Sequence, residues 1–317
     1  MRETPPEATG TGTRGGPAQG PSSGPAALAC YDVSKSYGGV LAVDSVSLEI
    51  PRRGLFGLCG FNGAGKSTLF NLLAGSVRAD SGSVRIDGKD ATGWSAMRRA
   101  RFGVARTWQT VRLAHGRTAV DNVAAACLRD PGQWMLGSLW RPQAAPARER
   151  AWAALDRLGI GHLGARAVDG LTLEAQRLTE LARALASEPT VLLADEPASG
   201  LSATQRTVLA EALTAISKDR AVVVVEHDLD MLTSISGHMW AMVEGRLAYS
   251  GDVEAFRASP VYAGLRGIQL LSPGNQQDGG EACLRATPAP LLTCTTLLLP
   301  RFVITIQIPG SKCLLNN

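Results

Sequence analysis

Residues Gly60–Thr68 read GFNGAGKST, a glycine-rich turn that ends in a lysine and two hydroxyl side chains. The positions of Gly60, Gly65, Lys66 and Ser67 match the spacing of a phosphate-binding loop. Glycines let successive backbone N–H groups point at an anion, and the helix that follows contributes the positive end of its dipole. The lysine can reach the β- and γ-phosphates, and the serine hydroxyl can ligate the accompanying Mg²⁺. The sequence therefore predicts a site for the phosphates of a nucleotide.

The segments on either side of this loop have the composition that such a loop requires. Leu55–Cys59 (LFGLC) is a short apolar run that predicts a buried strand, and Thr68–Ala74 (TLFNLLA) has the apolar content of a packed helix. A glycine turn with an incidental lysine is the alternative. The order of strand, loop and helix favours the phosphate site.

Two carboxylates follow a second apolar run. Val191–Ala194 (VLLA) predicts a buried strand that leads to Asp195 and Glu196, and Pro197 ends it. Phosphoryl transfer needs one acid that holds Mg²⁺ and a second group that activates the attacking water. A pair of solvated loop acids is the alternative, which the phosphate loop in the same chain disfavours.

A third β-branched run, Ala221–Val225, leads to Glu226, His227 and Asp228. A neutral imidazole at this strand end could hydrogen-bond a γ-phosphate and sense its presence. A histidine without a ligand is the commoner case for such a position in isolation. The neighbouring motifs favour the phosphate-sensing role for His227.

Two further positions are candidates for nucleotide contacts. Gln109 lies in FGVARTWQTVRL (Phe102–Leu113), where it follows a strand-like run and begins a loop. Tyr37, in VSKSYGGV, offers an aromatic face on which a base could stack, and a half-buried strand tyrosine is an equally good interpretation.

Other segments predict antiparallel structure. Tyr31–Ile50 and the residues around Arg85–Lys89 are expected to form strands of a small antiparallel part. Met239–Val243 and Leu247–Tyr249 flank the turn at Glu244–Arg246 and predict a hairpin.

Composition sets the remaining limits. The 317 residues are 45% hydrophobic, which is enough for one large α/β domain or two modest ones. The formal charge of +4 includes no basic stripe of the kind that binds nucleic acid. The six cysteines have no CxxC spacing, so we expect no structural metal site and a reducing compartment.

The two ends of the chain differ from its centre. Residues 1–27, rich in Gly, Pro, Thr and Ser, predict a disordered extension, and 28–271 the folded domain. The stretch 272–317 reads as an appended, disordered tail. Its apolar run Leu291–Ile308 is long enough to suggest a membrane span, but Pro300 and Arg301 at its centre disfavour that reading.

Taken in order, these motifs resemble the nucleotide-binding subunit of ABC transporters over about Leu28–Gln269. The segments that carry the resemblance are Tyr37, GFNGAGKST, Gln109, LTLEAQR (Leu171–Arg177), VLLADEP (Val191–Pro197), ASGLS (Ala198–Ser202) and EHD (Glu226–Asp228). The segments ARTWQTVRL and EPASGLS, with an insertion at Gln133–Arg150, resemble the ATPases of branched-chain amino acid, amide and urea importers in particular.

The resemblance implies a fold and a composite site. The fold is α/β, a P-loop NTPase of ABC type with a mostly parallel core sheet, an antiparallel β subdomain and a helical subdomain inserted at about 110–185. Two subunits face head to tail, and each ATP, with Mg²⁺, lies between the phosphate loop of one and the signature segment of the other. By resemblance, the nucleotide-binding residues are Tyr37, Gly60, Asn62, Gly63, Ala64, Gly65, Lys66, Ser67, Thr68 and Gln109. The same resemblance assigns Ser67, Gln109 and Asp195 to Mg²⁺ binding. It assigns Glu196 to activation of the attacking water and His227 to contact with the γ-phosphate.

The signature segment departs from the family pattern LSGGQ. Here it reads Thr172, Leu173, Glu174 and Ala175, so a carboxylate replaces a glycine. Glu174 can cap the following helix, where the dipole favours an acid. Alternatively it faces the triphosphate, a like-charge contact of roughly 1 to 4 kcal/mol at about 4 Å that would weaken the site. The dipole preference favours capping.

The function implied is that of an ATPase that powers an importer. Its partners would be a second ATPase subunit, transmembrane permease subunits and a solute-binding protein, with no nucleic acid. Its place would be the cytoplasmic face of the membrane. A regulatory subunit that hydrolyses ATP poorly is the alternative raised by Glu174. A soluble ABC ATPase that acts on nucleic acid or ribosomes is disfavoured, because the sequence has one phosphate loop and no heptad run.

Overall fold

The computed structural model describes residues 26–127 and 145–271, the last four of them by their helical backbone alone. The predicted N-terminal extension up to Pro25, most of the insertion at Gln133–Arg150 and the tail at 272–317 lie outside the described residues. Among the described helices, none combines the length and apolar content needed to cross a bilayer.

A four-stranded antiparallel sheet forms from the first part of the described chain. Its order is β2-β1-β4-β5, with β1 Leu28–Tyr37, β2 Val40–Ile50, β4 Ser81–Ile86 and β5 Lys89–Asp90. Shifts of register interrupt the pairing of β1 with β2 between Cys30 and Ser36, and such irregularities bend a two-stranded ribbon. This sheet contains the strands that the sequence predicted at Tyr31–Ile50 and near Arg85, with β1 starting three residues earlier.

A six-stranded sheet of order β10-β9-β3-β8-β7-β6 forms the core. Its strands are β3 Gly54–Gly60, β6 Val104–Arg106, β7 Val191–Asp195, β8 Ala221–Val225, β9 His238–Val243 and β10 Arg246–Asp252. The pairs β3/β8, β3/β9, β7/β8 and β6/β7 are parallel, and β9/β10 is an antiparallel hairpin. Every residue of β7 and β8 is buried, which accounts for their continuous apolar sequences. The two sheets confirm the predicted fold class.

Nine α-helices occur among the described residues. They are α1 Lys66–Ala74, α2 Ala96–Arg101, α3 Ala119–Ala126, α4 Ala145–Arg157, α5 Leu173–Ala186, α6 Ala203–Ser217, α7 Leu229–Ile235, α8 Val253–Arg257 and α9 Pro260–Leu271. Helices α3, α4 and α5 pack on one another through buried residues such as Val123, Leu155 and Leu178. Their shared apolar faces make a helical layer beside the core sheet.

Helix α1 begins at Lys66, two residues before the predicted start at Thr68. Gly65 caps it in the left-handed conformation (φ 97°), and the Leu69 N–H already donates to the Gly65 carbonyl at 2.9 Å. The helix ends at Ala74 and is capped by Gly75, which is also left-handed (φ 77°). A phosphate loop can therefore pass directly into the helix without an intervening turn.

Arg99 of α2 supports the end of α1 and the end of the antiparallel sheet. Its side chain is buried and its Nη1 donates to the carbonyls of Leu72 and Leu73 at 2.5 and 2.9 Å. Its Nη2 donates to the carbonyls of Ala91 and Thr92 at 2.9 and 3.3 Å. Helix C-termini leave their last carbonyls without intrahelical partners, and one guanidinium here satisfies two of them.

Replacing this arginine tests that support. We expect Arg99→Met to lower the free energy of unfolding by about 2 to 4 kcal/mol, because several buried carbonyls lose their donor. Urea unfolding of the full chain measures the change. Arg101→Met, at an exposed position of the same helix, is the control and should stay within about 0.5 kcal/mol of the parent. Equal stability of the two variants would contradict the supporting role.

Candidate active site

The glycine-rich loop joins β3 to α1 and owes its path to three left-handed glycines. Gly60, Gly63 and Gly65 have φ values of 147°, 81° and 97°. A Cβ at Gly60 would lie 2.4 Å from the Met242 carbonyl oxygen, and one at Gly65 would lie 2.1 Å from that of Ala42. Close packing of backbone therefore excludes side chains at these two positions. At Gly63 no heavy atom lies within 4 Å, so the backbone conformation alone favours glycine there.

Lys66 lies across this loop. Its side chain is buried, and Nζ donates to the carbonyls of Gly60 and Phe61 at 2.7 and 2.9 Å. Burial lowers the pKa of Lys66, while the charges of Glu196 and Asp195 act in the opposite direction. The ammonium is thus a desolvated positive charge next to two acids, held by two backbone oxygens.

The other predicted loop residues take different positions. Asn62 and Ser67 are exposed, Thr68 is half-buried, and Ala64 is buried. The Ala64 carbonyl accepts a hydrogen bond from the Gly245 N–H at 3.1 Å, which anchors the loop to the turn between β9 and β10. The Ser67 hydroxyl is therefore open to solvent at the start of α1.

The carboxylate of Glu196 lies between two predicted site residues. Gln109 Nε2 donates to its Oε2 at 2.7 Å, and His227 Nε2 lies 2.7 Å from its Oε1. Glu196 itself has a φ of 45°, which turns the chain away from β7 immediately after its N–H bonds to the Val225 carbonyl. A non-glycine residue in this conformation is strained, and such strain is common at functional sites.

Asp195 ends β7 and forms a buried ion pair that the sequence did not indicate. Arg106 Nη2 donates to its Oδ2 at 2.8 Å, and the two side chains are 9% and 8% exposed. Arg106 Nη1 also donates to Asn71 Oδ1 of α1 at 2.6 Å. An arginine at the end of a strand three residues before Gln109 was the available signal, but its partner lies 89 residues away in the chain.

Glu226 and Asp228, on either side of His227, have different structural roles. Glu226 is buried and accepts from the Ala198 N–H at 2.7 Å, so it fixes the loop that follows Glu196. Burial raises the pKa of Glu226. Asp228 caps α7 by accepting from the Met231 N–H at 2.9 Å. The role of Glu226 leaves no local pattern in the sequence, because its partner is a backbone N–H 28 residues away.

Arg106–Arg112, here called the Gln109 segment, is bound to helix α5. Arg177 donates from Nη1 to the Trp108 carbonyl at 3.1 Å and from Nη2 to the Gln109 carbonyl at 2.6 Å. The buried Glu180 accepts from the Arg112 N–H at 3.4 Å. Burial raises the pKa of Glu180, and the nearby arginines Arg183 and Arg177 oppose that shift. The helix that begins at the signature segment thus holds the backbone of the loop that contacts Glu196.

The signature residues begin α5. Thr172 is its N-cap, and its hydroxyl accepts from the Ala175 N–H at 3.3 Å. Glu174 lies in the first turn, as its sequence position predicts, and Leu173 is exposed.

Tyr37, at the end of β1, is 47% exposed, with Lys35 Nζ 5.5 Å from its ring centroid. The ring is therefore accessible, and its contact with a base stays a prediction.

The site as a whole combines a left-handed glycine loop, a buried lysine and two acids at the end of a neighbouring strand. Hydrogen-bond contacts join Gln109 and His227 to Glu196. The charges of Glu196 and Asp195 act on the ammonium of Lys66. This arrangement and the parallel core sheet define a P-loop nucleotide hydrolase.

Comparison with known proteins places the chain within this class. The family described as ABC transporter matches residues 43–199. The high-affinity branched-chain amino acid transport ATP-binding protein BraF of Pseudomonas aeruginosa is 33% identical over 231 residues, which are 71% of this chain and 91% of BraF. LivG of Salmonella typhimurium, with the same description, is 31% identical over 240 residues, 74% of this chain and 94% of LivG.

Solved structures agree with these sequences. An ATP-binding cassette of an ABC transporter superposes with a TM-score of 0.68 at 26% identity, covering 76% of this chain and 98% of that one. The ADP conformation of such a cassette gives a TM-score of 0.66 at 25% identity, with coverages of 75% and 97%.

The chain belongs to the family of ATP-binding subunits of ABC transporters. It is a nucleotide-binding ATPase and a component of a transporter. These findings confirm the predicted family and the ATPase activity, and they agree with the importer branch that the resemblance indicated.

Removing the buried lysine tests its role in nucleotide binding. We expect Lys66→Ala to weaken binding of a fluorescent ATP analogue by about 10- to 100-fold, because a charge-assisted contact to phosphate is lost. Thermal melting without nucleotide shows whether the variant is folded. Lys218→Ala, at an exposed position after α6, is the matched control. Unchanged affinity of a folded Lys66→Ala protein would contradict the assigned role.

Proposed function

We propose that this chain is the ATP-hydrolysing subunit of an importer for a branched-chain amino acid or a related amide or urea. The names of BraF and LivG assign those relatives to branched-chain amino acid transport. Permease subunits and a solute-binding protein would complete the transporter, and the chain would act at the cytoplasmic face of the membrane. A second ATPase subunit would supply the facing half of each site.

One observation carries the catalytic part of this proposal, namely the engagement of both Glu196 oxygens. Gln109 and His227 hold the carboxylate from two sides, each at 2.7 Å. A carboxylate held in this position can act as the base for a water that attacks the γ-phosphate once one of its oxygens is released. When ATP binds, a γ-phosphate oxygen would offer His227 a second acceptor. Movement of His227 to that oxygen would free Glu196 Oε1 for the water.

The phosphates would be bound by the loop. Lys66 would exchange its bonds to the Gly60 and Phe61 carbonyls for phosphate oxygens, whose negative charge would offset the desolvation of the ammonium. Backbone N–H groups of Gly63, Gly65 and the first turn of α1 would cover the remaining oxygens. The exposed ring of Tyr37 would stack on the base.

Mg²⁺ fits the donor atoms present. The Ser67 hydroxyl, the Gln109 amide oxygen and the Asp195 carboxylate are oxygen donors, which Mg²⁺ favours together with water and substrate phosphates. The bound ion would neutralise charge that develops on the β- and γ-phosphates. Within the protein, Asp195 is paired with Arg106, and Gln109 is paired with Glu196.

The signature residues would serve the ATP held by the facing subunit. Thr172 and Leu173 are exposed at the start of α5, where a partner could reach them. Because Glu174 lies in the first turn, its charge stabilises the helix dipole. We therefore favour an active subunit over one with poor hydrolysis.

Neutralising Glu196 separates nucleotide binding from hydrolysis. We expect Glu196→Gln to keep ATP binding within about threefold and to lower turnover by about 10²- to 10⁴-fold, because no base accepts the proton of the water. An ATP-bound dimer should then appear in size-exclusion chromatography. Glu211→Gln, an exposed glutamate of α6, is the control with parent-like turnover. Ordinary turnover in Glu196→Gln would remove Glu196 from the mechanism.

Glu174 decides between the active and the hydrolysis-poor subunit. If it only stabilises α5, Glu174→Gly leaves turnover of the complex with its membrane subunits unchanged within about twofold. The same change should lower the free energy of unfolding by about 1 kcal/mol, from lost dipole stabilisation and glycine entropy. Glu174→Gln removes the charge without the backbone effect. A rise in turnover of tenfold or more in both variants would support the weakened site instead.

A further inference from the structure

Arg106 has a contact set that fixes its guanidinium on Asp195. Its Nη2 lies 2.8 Å from Asp195 Oδ2 and its Nη1 lies 2.6 Å from Asn71 Oδ1. The ring of Trp108 lies 4.5 Å from the guanidinium carbon. The two charged side chains are about nine-tenths buried, where a charge without a partner is costly.

The stacking partner is itself held in place. Arg112 lies on Trp108 at 4.3 Å from the ring centroid, and Arg177 holds the Trp108 carbonyl. Arg106 thus has little freedom to leave Asp195 while the Gln109 segment keeps this conformation. Its Nε is buried with no hydrogen-bond partner in the described part of the chain. The Asp195 contact, made through Nη2, is therefore a main source of compensation for this buried charge.

The consequence concerns the acid that is proposed to serve Mg²⁺. A guanidinium and a metal ion that share one buried carboxylate repel each other strongly, because the local dielectric is low. Among the described ion pairs, Arg106 is the partner of Asp195, whereas Glu196 is engaged by Gln109 and His227. Lys66 adds a second positive charge in the neighbourhood of Asp195. Arg106 and Lys66 thus place two protein cations beside Asp195.

We propose that Arg106 is a resident counter-ion of Asp195, which prevents Mg²⁺ from binding alone and makes its binding depend on nucleotide phosphates. This inference rests on the proposed role of Asp195 toward Mg²⁺. The phosphates supply the negative charge that compensates the metal once it approaches, and Asn71 and Trp108 retain Arg106 nearby. Arg106 is a positioning residue, since it acts through Asp195.

The test compares Arg106→Gln with Arg112→Gln, which also removes a guanidinium from Trp108, but one that has no acidic partner among the described ion pairs. Mg²⁺ is titrated in two assays, thermal melting without nucleotide and binding of a fluorescent ATP analogue. In thermal melting, we expect Mg²⁺ alone to stabilise Arg106→Gln. In the ATP-analogue assay, the Mg²⁺ concentration at half-maximal binding should fall about tenfold or more for this variant, because one nearby like charge has been removed. The parent and Arg112→Gln should show no stabilisation by Mg²⁺ alone. The same midpoint in Arg106→Gln and the parent would overturn the inference, as would an equal shift in Arg112→Gln.

Two further variants keep the result interpretable. Should Arg106→Gln fail to fold, Asn71→Ala loosens Arg106 without removing its charge, and its Mg²⁺ midpoint should fall by about two- to threefold. An unchanged midpoint there would count against the inference. Asp195→Asn tests the underlying function separately. If ATP-analogue binding responds to Mg²⁺ identically in Asp195→Asn and the parent, the metal role of Asp195 is wrong. If only Asp195→Asn alters the response, that role stands and the counter-ion inference fails.

Discussion

The site depends on the parallel pairing of three central strands. Strand β8 lies between β3 and β7, and the register aligns Val225 with Leu58 on one side and with Asp195 on the other. Because the strands run in the same direction, the residues that follow each of them emerge at one edge of the sheet. The phosphate loop, the His227 turn and Glu196 are neighbours for this reason. A change of strand order would leave every motif intact in the sequence and disperse the site.

The reactive groups of the site all have polar partners within the protein. Lys66 is bonded to its own loop, Asp195 to Arg106, and Glu196 to Gln109 and His227. ATP would therefore exchange one set of polar partners for another, instead of removing bare charges from water. Such exchange limits the reorganisation that accompanies binding, and it keeps the dipoles oriented toward the reacting phosphate.

Local patterns predicted much of this fold. The apolar runs at Leu55, Val191 and Ala221 became strands, and the glycine spacing at Gly60 located the loop, because burial and left-handed turns act on neighbouring residues. Strand order and the Arg106 pair were beyond such patterns. Arg106 and Asp195 are 89 residues apart, and Gln109 and Glu196 are 87 apart, so only tertiary packing joins them. Roles of this kind for Arg106, Glu226 and Arg177 leave no periodic or spacing signal in one sequence.

Arg177 grips the Gln109 segment through the main-chain carbonyls of Trp108 and Gln109. Every amino acid carries such a carbonyl, so the side chain at position 108 can change during evolution without loss of the Arg177 hydrogen bonds. The arginine has no comparable freedom, since no other residue donates two such bonds from one rigid fork. Across descendants of this subunit, this contact should therefore tolerate substitution at position 108 of the loop and resist substitution of Arg177 in the helix.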